Sequence, residues 1–162
     1  PEVERISLID RKVGHGDVVE LGDTRFEVID TGGHTLGHIT YFDAADQIAF
    51  VGDTMFAMGC GRLFEGTAQQ MWASLSRLAA LPGSTQVYCA HEYTAANARF
   101  ALSVDDNPAL ATRAREVFAA RERGEPTVPT TIALERATNP FLRAGDAEAF
   151  GALRAAKDGF AG

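Results

Sequence analysis

The sequence predicts an α+β protein in two successive parts, and three observations carry that prediction. Short apolar runs alternate with Gly and Asp turns up to about residue 92, which is the spacing of strands. After His91 the chain turns Ala-rich and helical, without a further convincing strand. Its 162 residues, 46% hydrophobic and 23% charged, with no repeat or biased tract, suffice for a real buried core. The expected parts are residues 1–92 and 93–162.

The strands expected are Val18–Leu21, Arg25–Asp30, His38–Asp43, Gln47–Gly52 and Gln86–Ala90. Gly22-Asp23 joins the first two and Ala44–Asp46 the third and fourth, so antiparallel hairpins follow. Residues 54–66 are too apolar for a solvated linker and too Gly-rich for a strand, which predicts a long ordered loop with a function. A helix then opens on the capping box Thr67–Gln70 and puts Met71, Trp72, Leu75, Leu78 and Ala79 on one face. Pro82-Gly83 stops it. In the second part Tyr93–Val104 is helical. Asn107-Pro108 starts another helix, with Leu110, Ala114 and Val117 on one face and Gly124 at its end. The stretch from Glu125 to Asn139, with two prolines and four threonines, reads as a loop wrapping back over the body. Asp146 caps a last helix carrying Phe150 and Leu153.

Composition narrows the possible partners. Lys+Arg 15 against Asp+Glu 22 gives a net charge of −7, so nothing draws the chain onto phosphate backbones and nucleic acid is not expected. No apolar run approaches the roughly 20 residues of a membrane span, so no membrane is expected either. Cys60 and Cys89 read as reduced thiols of a cytoplasmic protein rather than a disulfide framework.

Three strand-like runs end in residues that metals favour: His34 after Thr31-Gly32-Gly33, Asp53 after Gly52, and His91 after Ala90. Sites of α/β sheets gather at such strand ends. A single imidazole there also serves as a capped loop residue, and Asp53-Thr54 also fits an Asx turn, so spacing alone leaves both readings open. Arg62, in the Gly-rich loop, would meet an anion if that loop lines a cleft and would be a solvated charge otherwise. Cys60 reads as packing, having no adjacent base.

Four stretches together resemble a known family. Thr31-Gly32-Gly33-His34-Thr35-Leu36-Gly37-His38, Phe50-Val51-Gly52-Asp53-Thr54-Met55-Phe56, Gly59-Cys60-Gly61-Arg62-Leu63-Phe64 and Tyr88-Cys89-Ala90-His91-Glu92-Tyr93-Thr94 are similar to glyoxalase II, the hydroxyacylglutathione hydrolase of the metallo-β-lactamase superfamily. Thr138-Asn139-Pro140-Phe141-Leu142-Arg143 and the terminal Arg154-Ala155-Ala156-Lys157-Asp158 extend the resemblance over the whole chain. It implies the C-terminal portion of an αββα sandwich followed by a helical, substrate-binding domain. It also implies hydrolysis of S-D-lactoylglutathione to D-lactate and glutathione, in methylglyoxal detoxification, by a metal-bound hydroxide. The cofactor would be two divalent ions, zinc first, with iron or manganese as alternatives.

By position, His34 resembles the ligand of the first metal, Asp53 the catalytic carboxylate bridging both, and His91 a ligand of the second. His38 resembles a supporting residue. Arg62, Tyr93, Arg154 and Lys157 resemble the glutathione-binding positions, and Arg154 and Lys157, three apart on a helix, share a face. Phe64 stands where many members have Tyr. The superfamily's His-x-His-x-Asp-His motif is absent from the sequence, which contains four histidines in all. The expectation is therefore a piece of a longer enzyme, monomeric, cytoplasmic and inactive alone, with a natural short paralogue as the alternative. The rival functions are an iron persulfide dioxygenase and a non-catalytic glutathione-binding module.

Overall fold

The computed structural model of the chain describes residues 7–161, so the first six residues of the expected first part lie outside it. In chain order the elements are β1 (Val18–Leu21), β2 (Thr24–Asp30), β3 (Ile39–Asp43), β4 (Ile48–Gly52), β5 (Met55–Phe56), β6 (Gly59–Cys60), α1 (Ala68–Ala79), β7 (Gln86–Cys89), α2 (Thr94–Val104), α3 (Pro108–Glu122), β8 (Thr130–Thr131), α4 (Ile132–Thr138) and α5 (Ala147–Asp158). Six strands form one sheet in the order β1-β2-β3-β4-β7-β8, and β5 and β6 form a separate ribbon. No described helix is long and apolar enough to cross a membrane.

The strand directions decide where a site can stand. β2 and β4 both run antiparallel to β3, and β7 runs parallel to β4, so β2, β4 and β7 end at the same edge. Alternation along these strands separates two faces. Ala49, Val51 and Val87 point one way and are wholly buried with Met71, Leu75 and Leu78 of α1. Phe100, Ile132, Phe141 and Phe150, all from beyond residue 92, join that same core. The expected two parts thus share one interior. On the other face Tyr41, Phe50 and Tyr88 are in register and Phe26 packs edge-on to Tyr41 and Phe50, yet Phe50 is 44% exposed.

Two stretches depart from the expected elements. Within the expected loop at residues 54–66, Met55 pairs with Cys60 and Phe56 with Gly59 as a tight ribbon. Strands of two residues are too short to show alternation, and this pair is held from far along the chain. Asn97 Nδ2 donates to the Ala57 carbonyl and Asn139 Nδ2 to those of Phe56 and Gly59. Glu135 accepts the Met58 N–H.

The expected loop from Glu125 to Asn139 contains β8 and α4. Thr131 pairs with Gln86 on the sheet and its hydroxyl caps α4 by accepting the Leu134 N–H. The prolines precede the helix rather than interrupt it. Glu135, wholly buried, also accepts from Arg113, Thr130 and Asn139, so one carboxylate binds α3, α4, β8 and the ribbon together. Removing one partner of such a buried pair costs about 3–5 kcal/mol.

Candidate active site

β4 and β7 are neighbours whose ends are in register, Gly52 opposite Cys89, and the Ala90 N–H donates to the Gly52 carbonyl. The residues that follow therefore emerge side by side. Asp53 Oδ1 lies 3.2 Å from His91 Nε2. His34 reaches the same edge from the end of β2. Its Nδ1 donates to the Arg62 carbonyl at 2.9 Å, which fixes that nitrogen as the protonated one and leaves Nε2 as the ring's electron-pair donor. The Phe64 ring leans on the same imidazole at 4.8 Å between centroids.

Two glycines make this edge possible. A Cβ on Gly61 would lie 2.0 Å from the Asp53 carbonyl oxygen and 3.0 Å from His34 Nδ1, so Gly61 is the hinge by which the Arg62 loop closes against both residues. Gly52 adopts φ +52°, and a Cβ there would meet His38 Nε2 at 2.6 Å. That close approach lets His38 Nε2 accept the Asp53 N–H at 3.0 Å. Since Nε2 accepts, Nδ1 carries the proton in the neutral ring. It donates to Thr54 Oγ1 at 2.9 Å, and that hydroxyl in turn donates a hydrogen bond to the Thr31 carbonyl at 2.8 Å. The supporting residue read from the sequence is thus a clamp on the Asp53 backbone.

The cations gather beside this edge. Arg154, 5% exposed, donates to the Cys60 carbonyl and to Asp158, and its guanidinium lies over the Phe141 ring at 5.2 Å. Its Nε–H is buried with no acceptor among the described residues. Lys157 Nζ donates to the Ala96 carbonyl and sits over the rings of Phe100 and Phe160. Burial first, then the neighbouring Arg154 and Arg62, hold its ammonium below the ordinary lysine range. Tyr93 stacks on His91, 4.8 Å between centroids and 19° between planes. Cys60 is buried, and burial pushes its thiol up to about 12, so it packs and does not attack.

His34, Asp53, Arg62, His91, Tyr93, Arg154 and Lys157 all line one cavity of about 570 Å³. That is the size of a small-molecule site. Phe56 and Asn97 also line it and were not singled out from the sequence. The anchoring residues Asn139 and Asp158 fell within quoted motifs but had no role there, because nothing local marks the partner of a long-range hydrogen bond.

The donor types suit divalent metal: the Asp53 carboxylate against the His91 imidazole, with the His34 imidazole, tied off at its other nitrogen, lining the same cavity. His34, Asp53 and His91 do not close up into one ligand group. Among the described residues no group of three or more His, Cys, Asp or Glu stands at metal-holding distance.

Residues 92–160 match the family model of the hydroxyacylglutathione hydrolase C-terminus, and residues 1–91 match that of the metallo-β-lactamase superfamily. A hydroxyacylglutathione hydrolase of Erythrobacter litoralis is 58% identical over 98% of this chain and 68% of its own length. One from Maricaulis maris is 63% identical over 88% of this chain and 56% of its own length. Among solved structures, ETHE1 from Myxococcus xanthus superposes with a TM-score of 0.66 at 30% identity, over 92% of this chain and 53% of its own. The BLEG-1 B3 metallo-β-lactamase, at 24% identity and a TM-score of 0.57, shares the fold. The chain thus spans between about half and two thirds of the proteins it matches.

Proposed function

The chain belongs to the hydroxyacylglutathione hydrolase family of the metallo-β-lactamase superfamily, and from that premise we propose that it carries most of the machinery of a glutathione thioester hydrolase. The reaction is S-D-lactoylglutathione to D-lactate and glutathione, in a protein that joins this chain to the His-x-His-x-Asp-His ligands. One observation carries the reading: a single cavity holds both a His–Asp–His edge and a cluster of three cations.

His34, through Nε2, and His91 would each hold one divalent ion, with Asp53 shared between them. When bound, such ions lower the pKa of water and polarise a carbonyl, and zinc fits these ligands first, iron or manganese next. The chain's own residues do the rest. His38 and Thr54 fix the backbone that presents the Asp53 carboxylate. Arg62, Arg154 and Lys157 take the carboxylates of the glutathione part. Tyr93 offers its hydroxyl while its ring braces His91. Binding so remote from the scissile bond is nearly uniform between ground and transition states, so it sets KM more than kcat.

The short ligand count favours a second reading for the chain by itself, a glutathione-binding module without turnover. The match of residues 92–160 to the hydrolase C-terminus favours a hydrolase over the dioxygenase alternative. Cys60 and Cys89, both free thiols, suit a reducing compartment, which supports the cytoplasm. Titration calorimetry of the chain with S-methylglutathione, with and without zinc, tests the common premise. Binding that needs no zinc is expected. A chain that fails to bind the thioether in either condition overturns the reading.

A further inference from the structure

Three cations face the cavity, yet Lys157 is held by a backbone carbonyl while Arg62 and Arg154 share a carboxylate. Asp158 Oδ1 accepts from Arg154 Nη2 at 2.9 Å and lies 3.6 Å from Arg62 Nε. These residues come from the two extremes of the site. Arg154 is buried on α5, whereas the Arg62 side chain, 66% exposed, sits on the loop after β6. Left alone, two guanidiniums on one cavity wall repel, and the exposed one samples many rotamers. A single oxygen between them offsets the repulsion and narrows the rotamers of Arg62.

The second observation concerns what this arrangement leaves unsatisfied. Arg154 spends Nη1 on the Cys60 carbonyl and Nη2 on Asp158, and its buried Nε–H has no acceptor among the described residues. A buried donor without a partner costs about 1–3 kcal/mol. The guanidinium that lines the cavity is thus incompletely hydrogen-bonded at Nε. Asp158 itself is no competitor for that donor, since its carboxylate already faces the other nitrogens.

We propose that Asp158 is the positioning residue of the ligand site: it clamps Arg62 to Arg154 and so preorganises the pair that receives a carboxylate of the glutathione part. The inference rests on the glutathione reading above and deepens it. Preorganisation of this kind acts on affinity, because part of the ordering of Arg62 precedes the arrival of the ligand.

The test is calorimetric titration of the chain with S-methylglutathione for the unsubstituted protein, Asp158→Asn, Asp158→Glu, Arg62→Gln and the double variant Asp158→Asn/Arg62→Gln. The expected result is binding about tenfold weaker in Asp158→Asn, since charge-assisted hydrogen bonds are about twice as strong as neutral ones. Asp158→Glu restores most of the affinity because it keeps the charge. The double variant is expected to lose less than the sum of its parts, since both substitutions break the same pair. Unchanged or tighter binding in Asp158→Asn overturns the proposal, as does strict additivity in the double variant. A purely structural role would lower the melting temperature of Asp158→Asn and leave its affinity alone. An unsubstituted chain that does not bind the thioether removes the glutathione reading, and the clamp with it.

Discussion

Arg154, on the cation side of the cavity, is almost wholly buried and held at Cys60, Asp158 and the Phe141 ring, whereas His91, on the metal side, keeps 48% of its side chain open against Asp53 and Tyr93. Both belong to one cavity. The difference follows from what surrounds each. Arg154 stands against the shared core, over its Phe141 ring and bonded to the Cys60 carbonyl, on the helix α5 that packs on α1. The Asp53–His91 edge stands where strand ends meet the cavity, and no group of three metal-favouring residues stands together there among the described residues. On the function proposed above, the wall that would recognise glutathione and the edge that would act on its thioester are separable in this chain, and the cation wall is the more firmly held.

The largest effect is expected in turnover, and it asks whether the metal side is as unfinished as its ligand count. With saturating zinc or iron, the chain alone should hydrolyse S-D-lactoylglutathione on the order of 10³-fold more slowly than the chain joined to a His-x-His-x-Asp-His segment. Loss of partners around metal ligands alone costs roughly 10–100-fold, and here ligands themselves are missing. Similar rates in a thioester-hydrolysis assay would erase the contrast between the two sides.

Arg154→Met should next weaken S-methylglutathione binding by about 30-fold or more, because truncating one partner of a buried charge contact costs about 2–5 kcal/mol. In the joined enzyme the same change should raise KM with kcat little altered. A fall in kcat at constant KM would move Arg154 to the metal side.

Gly61→Ala sharpens the comparison from the other direction. Its Cβ would press directly on the Asp53 carbonyl and on His34, and its nearest neighbours include no atom of Arg154. Zinc affinity, read by competition with a chromogenic chelator, should drop about tenfold or more, and thioether binding should change far less. Equal losses in both would show that the two sides are mechanically one.

The smallest effect is in pH dependence. Lys157 is cationic below its pKa, and that pKa is lowered by burial and by Arg154 and Arg62. Affinity for the dicarboxylate ligand should therefore decline as pH rises, beginning below the ordinary lysine range. Lys157→Arg, protonated throughout, should flatten the decline in a series of titrations from pH 7 to 11. A flat profile in the unsubstituted chain would take Lys157 out of the binding site.

Much of this architecture is legible locally. Four-to-six-residue strand-like runs, a capping box at Thr67–Gln70 and an Asp146 cap are properties of adjacent residues, and each produced the element expected of it. The types of residue at the strand ends were legible too. The β5–β6 ribbon was not, because Asn97, Glu135 and Asn139 hold it from 40 to 83 residues away. Nor was α4, whose cap Thr131 is one threonine among several and gains its meaning by pairing with Gln86.

The sequence by itself determined the longer strands and helices in their order, the metal-favouring residues at three strand ends and the cations of the last helix, since periodicity and capping act over a few residues. Tertiary structure alone decided that those strand ends share an edge, that His38 turns its unprotonated nitrogen to Asp53, and that Arg154 meets the carbonyl of Cys60, 94 residues before it. Such contacts depend on strand direction and on how a helix seats in the core. No local pattern of residue types encodes either, because many distant partners satisfy the same donor equally well until packing selects one.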